Sequence, residues 1–428
     1  MFLVLFIGND PFQLLEIEMM QVLIVSQYFW PENFRINDVA KTMSMKGIEV
    51  EVLTGKPNYP QGVIYPTYNA WWCQKDSHQG IRINRIPLRA RGYGSLSLAL
   101  NYLSFVMSGF IFAPLMLHKK RFDVIFIYAP SPILQAMPAI FLGWVKGCPV
   151  VLWVQDLWPE SLSATGYIRN KVILKIVELF VRFIYRNVDL LLVQSQAFVE
   201  PVRELASGTP VAYYPNSVDD TFASPATVAS PFVAGLENGF SVMFAGNIGS
   251  AQAVDVMVEA ATLLKEFQDI HFVVLGDGSC REEMLDAVKQ HGLTNIHLPG
   301  RFPVEMMPSF MQKASALLVT LADQPIFALT VPSKVQAYMA AGRPIIACLN
   351  GEGARLVVEA QAGLATPAEN PRALADTILN LYMQSPEERE IMGNNGRLYY
   401  KEHFNHDRLV DQLIEHFQKV LKDKKDIQ

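Results

Sequence analysis

Short, nearly unbroken apolar runs alternate with longer stretches of helical periodicity along the whole chain. In the first half the runs at 21–26, 49–53, 82–87, 123–128, 149–154, 189–194 and 210–215 predict strands. The runs at 123–128 and 149–154 show no polar alternation, which suits strands covered on both faces of a parallel sheet. Helical stretches lie between them, and the one at 36–46 closes at Gly47, a residue that readily adopts the backbone needed past a helix end. The second half repeats the pattern, with strands expected at 240–245, 271–275, 295–298, 316–320 and 344–348. Alternating β and α elements predict an α/β protein of two Rossmann-like, doubly wound domains facing a cleft. Ligands of such sheets sit beyond the carboxyl ends of the strands, so the crevice is the expected site.

Residues 1–19 read as an extension or a misassigned start: Met19-Met20 opens the first strand, and no basic leader or small-residue cleavage site marks a secretory signal. The first domain is expected over 20–222 and the second over 240–405, separated by a linker at 223–239 that is rich in small residues and punctuated by proline. Residues 406–428 form a tail whose amphipathic helix, 407–424, is expected to reach back to the first domain. The segment Leu96–Leu117 carries no charge and is followed at once by His118, Lys119, Lys120 and Arg121. Three readings stand: a domain helix, a helix on the membrane surface, or a span.

Composition narrows the chemistry. Half of the 428 residues are hydrophobic and only 18% are charged, and the net charge near −5 offers no strong positive field for nucleic acid. The four cysteines, Cys73, Cys148, Cys280 and Cys348, lie far apart without ligand spacing, which argues against a disulfide framework or structural zinc.

Several strand ends carry candidate chemistry. The strand at 240–245 runs into Gly246, Asn247 and Gly249, a turn that either brings backbone amides to a phosphate at a helix start or is purely structural. Asp277 and Gly278 end the next strand and either line a nucleotide site or make a tight turn. At 331–342, Pro332 suits a first helical turn, Ser333 and Lys334 add a hydroxyl and a cation to free amides, and Gly342 closes the helix, which together resemble a diphosphate cradle. In the first half, Glu32, Asn33 and Arg35 sit in an aromatic loop, and Asp156, Trp158 and Glu160 follow the strand at 149–154. Polar groups among aromatics suit a sugar, although Asp156 also reads as a residue neutralising a helix dipole.

The order of these segments resembles the GT-B fold, retaining glycosyltransferases of family 4. The likeness is greatest to bacterial members that build O-antigen, capsule and colanic-acid-type polysaccharides, the L-fucosamine transferases among them. It rests on Tyr28–Arg35, Lys56–Gly62, Asp156–Ser161, Pro215–Asp219, Phe244–Gly249, Pro332–Lys334 and Tyr338–Gly342, and covers nearly all of the chain from about Met20. It departs at five places. The family's paired glutamates fall on Leu329 and Ala337, its Arg and Lys after the first strand of the second domain on Asn247 and Gln252, and its His-Asp pair reads Gln155-Asp156.

The resemblance implies transfer of a sugar from a nucleoside diphosphate sugar, UDP-sugar favoured, to a lipid-linked saccharide acceptor. Arg301 and Lys334 would then supply charge for the diphosphate and Asp156 the catalytic carboxylate. No cofactor, metal or nucleic acid is expected. The protein is placed in the bacterial cytoplasm, peripheral on the inner face of the cytoplasmic membrane. Two rivals remain: a sugar-nucleotide 2-epimerase, and a non-catalytic subunit of the same fold.

Overall fold

The computed structural model describes residues 19–92, 94–164, 170–218 and 220–427. The proposed extension therefore lies outside them except for Met19, as does Asp219 of the Pro215–Asp219 segment. The chain forms two compact units, Met1–Leu152 with Phe417–Gln428, and Trp153–His416.

The first sheet is built from β1 (Gln21–Val25), β2 (Glu49–Thr54), β3 (Gln74–His78), β4 (Ile81–Arg85), β5 (Val124–Ala129), β6 (Val150–Val154), β7 (Leu190–Val193) and β8 (Val211–Tyr213). Its order is β3-β4-β2-β1-β5-β6-β7-β8, and the chain passes from one unit to the other within β6. β1, β5 and β6 are buried along their whole length or nearly so, as their unbroken apolar sequences require. In this sheet, sequence reasoning missed β3. It is polar, pairs antiparallel with β4, and is joined to it by Gln79 and Gly80, both with positive φ, as a two-residue hairpin turn demands.

The second sheet lies wholly in the Trp153–His416 unit. It comprises β9 (Phe240–Asn247), β10 (Ile270–Asp277), β11 (Ile296–Gly300), β12 (Ala316–Thr320), β13 (Ile345–Cys348) and β14 (Gly363–Thr366), in the order β11-β10-β9-β12-β13-β14, with parallel pairing throughout. Alternate residues serve opposite cores. Met243, Val273, Leu317 and Ile345 join Val335 and Met339 on one face, while Phe244, Val274, Leu318 and Ile346 join Val256 and Ile378 on the other. The strand order reverses direction at β9, between β10 and β12, so the carboxyl end of β9 is the switch point where ligands of such sheets collect.

One connecting segment differs from its expected character. Residues 223–239 are not a loose tether: Val233 and Leu236 are buried in the core, and Ser230 N–H donates to Ser309 Oγ at 2.9 Å. The uncharged segment forms the helix Ser95–Leu117. Asn101, Phe105, Gly109 and Ala113 occupy its buried face, whereas Leu103, Met107, Ile111 and Leu115 are exposed. The terminal helix, His406–Ile427, is longer than its sequence reading at both ends, and Phe417 packs edge-on to Phe126.

Candidate functional site

The tips of β9 and β10 meet with Gly246 opposite Gly276 and Asn247 opposite Asp277. A Cβ on Gly276, whose φ is +152°, would stand 1.8 Å from the Gly246 carbonyl oxygen, and one on Gly278 would stand 2.2 Å from that of Ile248. Only bare backbone lets the strand tips lie this close. Gly276→Ala is therefore expected to destabilise the protein by about 2–4 kcal/mol, read as a lowered denaturation midpoint. An unchanged midpoint would show that the tips part without cost.

Beside these glycines is a cavity of roughly 330 Å³, lined by Gly246, Asn247, Asp277 and Arg301, with Phe302 and Met307 on its apolar side. The Asp277 carboxylate accepts a hydrogen bond from Gly278 N–H at 2.9 Å, and the Arg301 side chain is exposed. Lys334, on the helix Ser333–Ala341, comes up against Gly246, one of the lining residues, although it does not itself line the cavity. A Cβ on Gly246 would stand 2.8 Å from the Lys334 ammonium, so the lysine lies over the bare Cα. Its Nζ is 3.6 Å from the centre of the Phe244 ring. With no carboxylate partner among the described residues, burial pushes its pKa down to about 7.

The start of that helix differs by one residue from its sequence reading. Pro332, with ψ of 131°, is the residue before the first turn, and Ser333 is the first helical residue. Val335 N–H donates to Pro332 O, leaving the Ser333 and Lys334 amides as helix-start donors without intrahelical partners. Tyr338 ties the helix to β9 by accepting from Ala245 N–H at 3.0 Å.

A correction applies to the turn after β9. Gly246–Gly249 does not open a helix: a short turn at Ser250–Gln252 intervenes, and the helix begins at Asp255. The acidic first residue and the delay both remove that helix start from the phosphate role. Asn247 instead donates from Nδ2 to Gln252 Oε1 at 3.1 Å, and Gly249 is bare where a side chain would strike Asn247.

Asp156 follows β6 in the same unit. Its carboxylate has no hydrogen-bond partner among the described residues, and burial raises its pKa to about 7. Trp158 is buried, which leaves its ring little free face for a sugar, and Glu160 is exposed at the first turn of the helix Glu160–Ala164. Three amides that the sequence did not mark as site residues connect this region to the lysine helix. Asn216 donates from Nδ2 to Gln155 Oε1, and Gln336 donates from Nε2 to Asn216 O, each at 2.9 Å. Gln155 Nε2 and Gln336 Oε1 are left buried without a partner among the described residues. At the positions of the absent glutamates, Ala337 packs on the core, and Leu329 offers only its carbonyl, which accepts from Ser195 Oγ at 2.6 Å.

The remaining sequence candidates lie in the other unit. Glu32 is buried, and its Oε1 accepts from the amides of Asn58 and Tyr59 at 2.8 and 2.7 Å. Burial raises its pKa to about 7 against the pull of those amides. Arg35 pairs with Asp38 at 2.8 Å, and Asn33 is exposed. Glu32 thus holds the loop after β2, where the rings of Tyr28, Phe34 and Tyr59 pack together, and Arg35 is committed to its own helix.

Comparison with known proteins gives two family matches, one in each half. Residues 33–217 match the glycosyl transferase 4-like domain, and residues 239–384 match glycosyl transferases group 1. The chain is 27% identical over 288 residues to the probable glycosyltransferase WbjE of Pseudomonas aeruginosa, covering 64% of this chain and 70% of that protein. It is 23% identical over 346 residues to WcaI of Escherichia coli, described as a putative colanic acid biosynthesis glycosyl transferase, covering 76% and 82%. Among solved structures, sucrose-phosphate synthase of Thermosynechococcus elongatus superposes with a TM-score of 0.73 at 15% identity, over 94% of this chain and all of that one. HepE of Anabaena, solved with UDP, superposes with a TM-score of 0.64 at 13% identity, over 94% and 100%. At these identities the structures speak for the fold alone.

Proposed function

Since the chain belongs to the GT-B glycosyltransferases of group 1, we propose that it moves a sugar from a nucleoside diphosphate sugar to a hydroxyl of a lipid-linked saccharide, with retention, in surface-polysaccharide synthesis. The observation that carries this reading is Lys334, which has no counter-ion among the described residues and lies over bare backbone at the switch point of the second sheet. An unpaired ammonium next to helix-start amides, with Arg301 on the cavity wall, suits a diphosphate whose charge grows as the sugar leaves. In the reaction the bond from the anomeric carbon to the phosphate oxygen breaks. The acceptor oxygen bonds to that carbon from the same face, and Asp156 takes the acceptor proton. Asn247, Gly249, Asp277, Gly278 and Ser333 complete the donor side. A UDP-sugar is favoured, HepE having been solved with UDP-glucose as well as UDP. The resemblance adds an N-acetylated deoxyhexosamine such as N-acetyl-L-fucosamine as a donor to test, and the name of WcaI supports a polysaccharide product.

The purified protein, incubated with nucleotide sugars with and without a lipid-linked acceptor, tests this directly. Acceptor-dependent transfer is expected, and it should survive EDTA. Epimerisation without acceptor would make the protein a 2-epimerase. Neither reaction would make it a scaffold, the reading favoured by Leu329 and Ala337 in place of glutamates.

Such an acceptor is met at the bilayer, and we place the protein on the inner face of the cytoplasmic membrane. The exposed row Leu103, Met107, Ile111 and Leu115 would lie on lipid, with the basic cluster that follows the helix near the headgroups. Lys120 is paired with the buried Glu51 at 3.2 Å and is best left in place. Replacing Lys119 and Arg121 by Gln should weaken binding to anionic vesicles by about tenfold or more, at about 1 kcal/mol for each charge. Equal binding by this variant would remove the cluster from the attachment.

A further inference from the structure

The helix Lys171–Arg186 has a second exposed apolar surface, in the other compact unit from the Ser95–Leu117 helix. Asn170 caps it by accepting from Val172 N–H at 2.9 Å, so its first turn is well formed. At about 3.6 residues per turn its side chains sort into three strips. Val181, Ile184 and Tyr185 are buried in the protein. On the outer side, Val172, Ile173, Ile176, Leu179, Phe180 and Phe183 are all exposed, Leu179 by 61% and Val172 by 68%. Beside them runs a third strip of Lys171, Arg182, Lys175 and Arg186. The helix's single acid, Glu178, is occupied by Arg182 at 2.7 Å. Lys171 and Lys175 are exposed and have no acidic partner among the described residues.

A continuous strip of large aliphatic and aromatic side chains is costly in water. What distinguishes this one is the cationic border along one edge. A protein partner would have to set an apolar ridge and an acidic edge side by side to match both strips. A bilayer with anionic headgroups satisfies both strips at once, because acyl chains take the apolar side chains while lysine and arginine reach up to the phosphates. We infer that the Lys171–Arg186 helix is a docking surface for anionic lipid, lying in the plane of the interface. It rests on the reading that the protein works at a membrane, yet not on the Ser95–Leu117 helix or its basic end.

The test uses the full chain and vesicles of phosphatidylcholine, with and without phosphatidylglycerol. Ile176→Gln with Leu179→Gln, both on the exposed face, should leave the denaturation midpoint near that of the parent. The pair should lower partition onto phosphatidylglycerol vesicles by about tenfold or more. Lys171→Gln with Lys175→Gln should lower it by roughly tenfold or more at low salt and bring it towards the phosphatidylcholine level. If these variants bind as the parent does while the Lys119 and Arg121 variant does not, this surface is wrong and the membrane reading stands. A parent protein that binds no vesicle overturns both. Should the apolar variant instead convert a dimer to a monomer without lipid, with vesicle partition unchanged, the face belongs to a second copy of the chain and the inference fails.

Discussion

Asp156→Asn is expected to lower turnover by about 100-fold or more, with nucleotide-sugar affinity changed by no more than about twofold. The carboxylate stands after a fully buried strand and has neither an ion-pair nor a hydrogen-bond partner among the described residues. Its pKa near 7 places it where a general base both exists in the ionised form and holds a proton usefully. Turnover in the parent should therefore fall as the pH drops below 7, and the Asn variant should lose that limb. Stability moves the opposite way. Because the folded pKa lies above the unfolded one, the folded state binds more protons between about pH 4 and 7, and this site's contribution declines as the pH rises through that window. Asp156→Asn should then raise the denaturation midpoint at pH 8 while lowering turnover. Full activity in the variant, or activity lost on chelation, would end the proposed role.

Lys334→Ala is expected to weaken binding of UDP or a nucleotide sugar by about 1.5–3 kcal/mol, the usual size for a hydrogen bond to a charged group. That corresponds to an affinity loss of roughly tenfold to somewhat over a hundredfold. Burial alone holds the lysine's pKa near 7, so near neutrality a large share of the free protein carries it uncharged. A bound diphosphate restores the charge, and binding should take up a proton and tighten as the pH falls from 9 towards 7. Calorimetry in buffers of different ionisation enthalpy reads that uptake. Lys334→Met should keep the packing on Phe244, abolish proton uptake and leave the unliganded protein at least as stable at pH 7. Unchanged affinity in Lys334→Ala would remove the residue from the site.

Most of the fold was legible because buried parallel strands advertise themselves. The run at 316–320 matches β12 in both bounds, and the expected ends of β1, β6 and β13 lie within a residue of those observed. β3 escaped because an antiparallel edge strand with sequence Gln-Lys-Asp-Ser-His needs no apolar face, and β14 because Gly363, Ala365 and Thr366 carry little of a strand's signature. The site was legible where a local rule governs it. A serine and a lysine at a helix start mark Lys334 without any tertiary knowledge. The helix after β9 was misplaced because nothing local announces the extra turn at Ser250–Gln252. The linked amides were invisible for a different reason: Gln155 and Asn216 are 61 residues apart, Asn216 and Gln336 are 120 apart, and no spacing rule joins them. Gly276 and Gly278 bracket Asp277 in plain sight, yet the need for them lies in the neighbouring strand.

The packed segment before β9 bears on how the chain can be divided. A cut at residue 239, where the second family match begins, would look clean from sequence. It would strip Val233 and Leu236 from the apolar interior and leave Ser309 without its Ser230 partner. The exposed hole would invite aggregation in a fragment that carries the proposed nucleotide site. A donor half meant for ligand screening should therefore start upstream of Ser230, so that its lining travels with it.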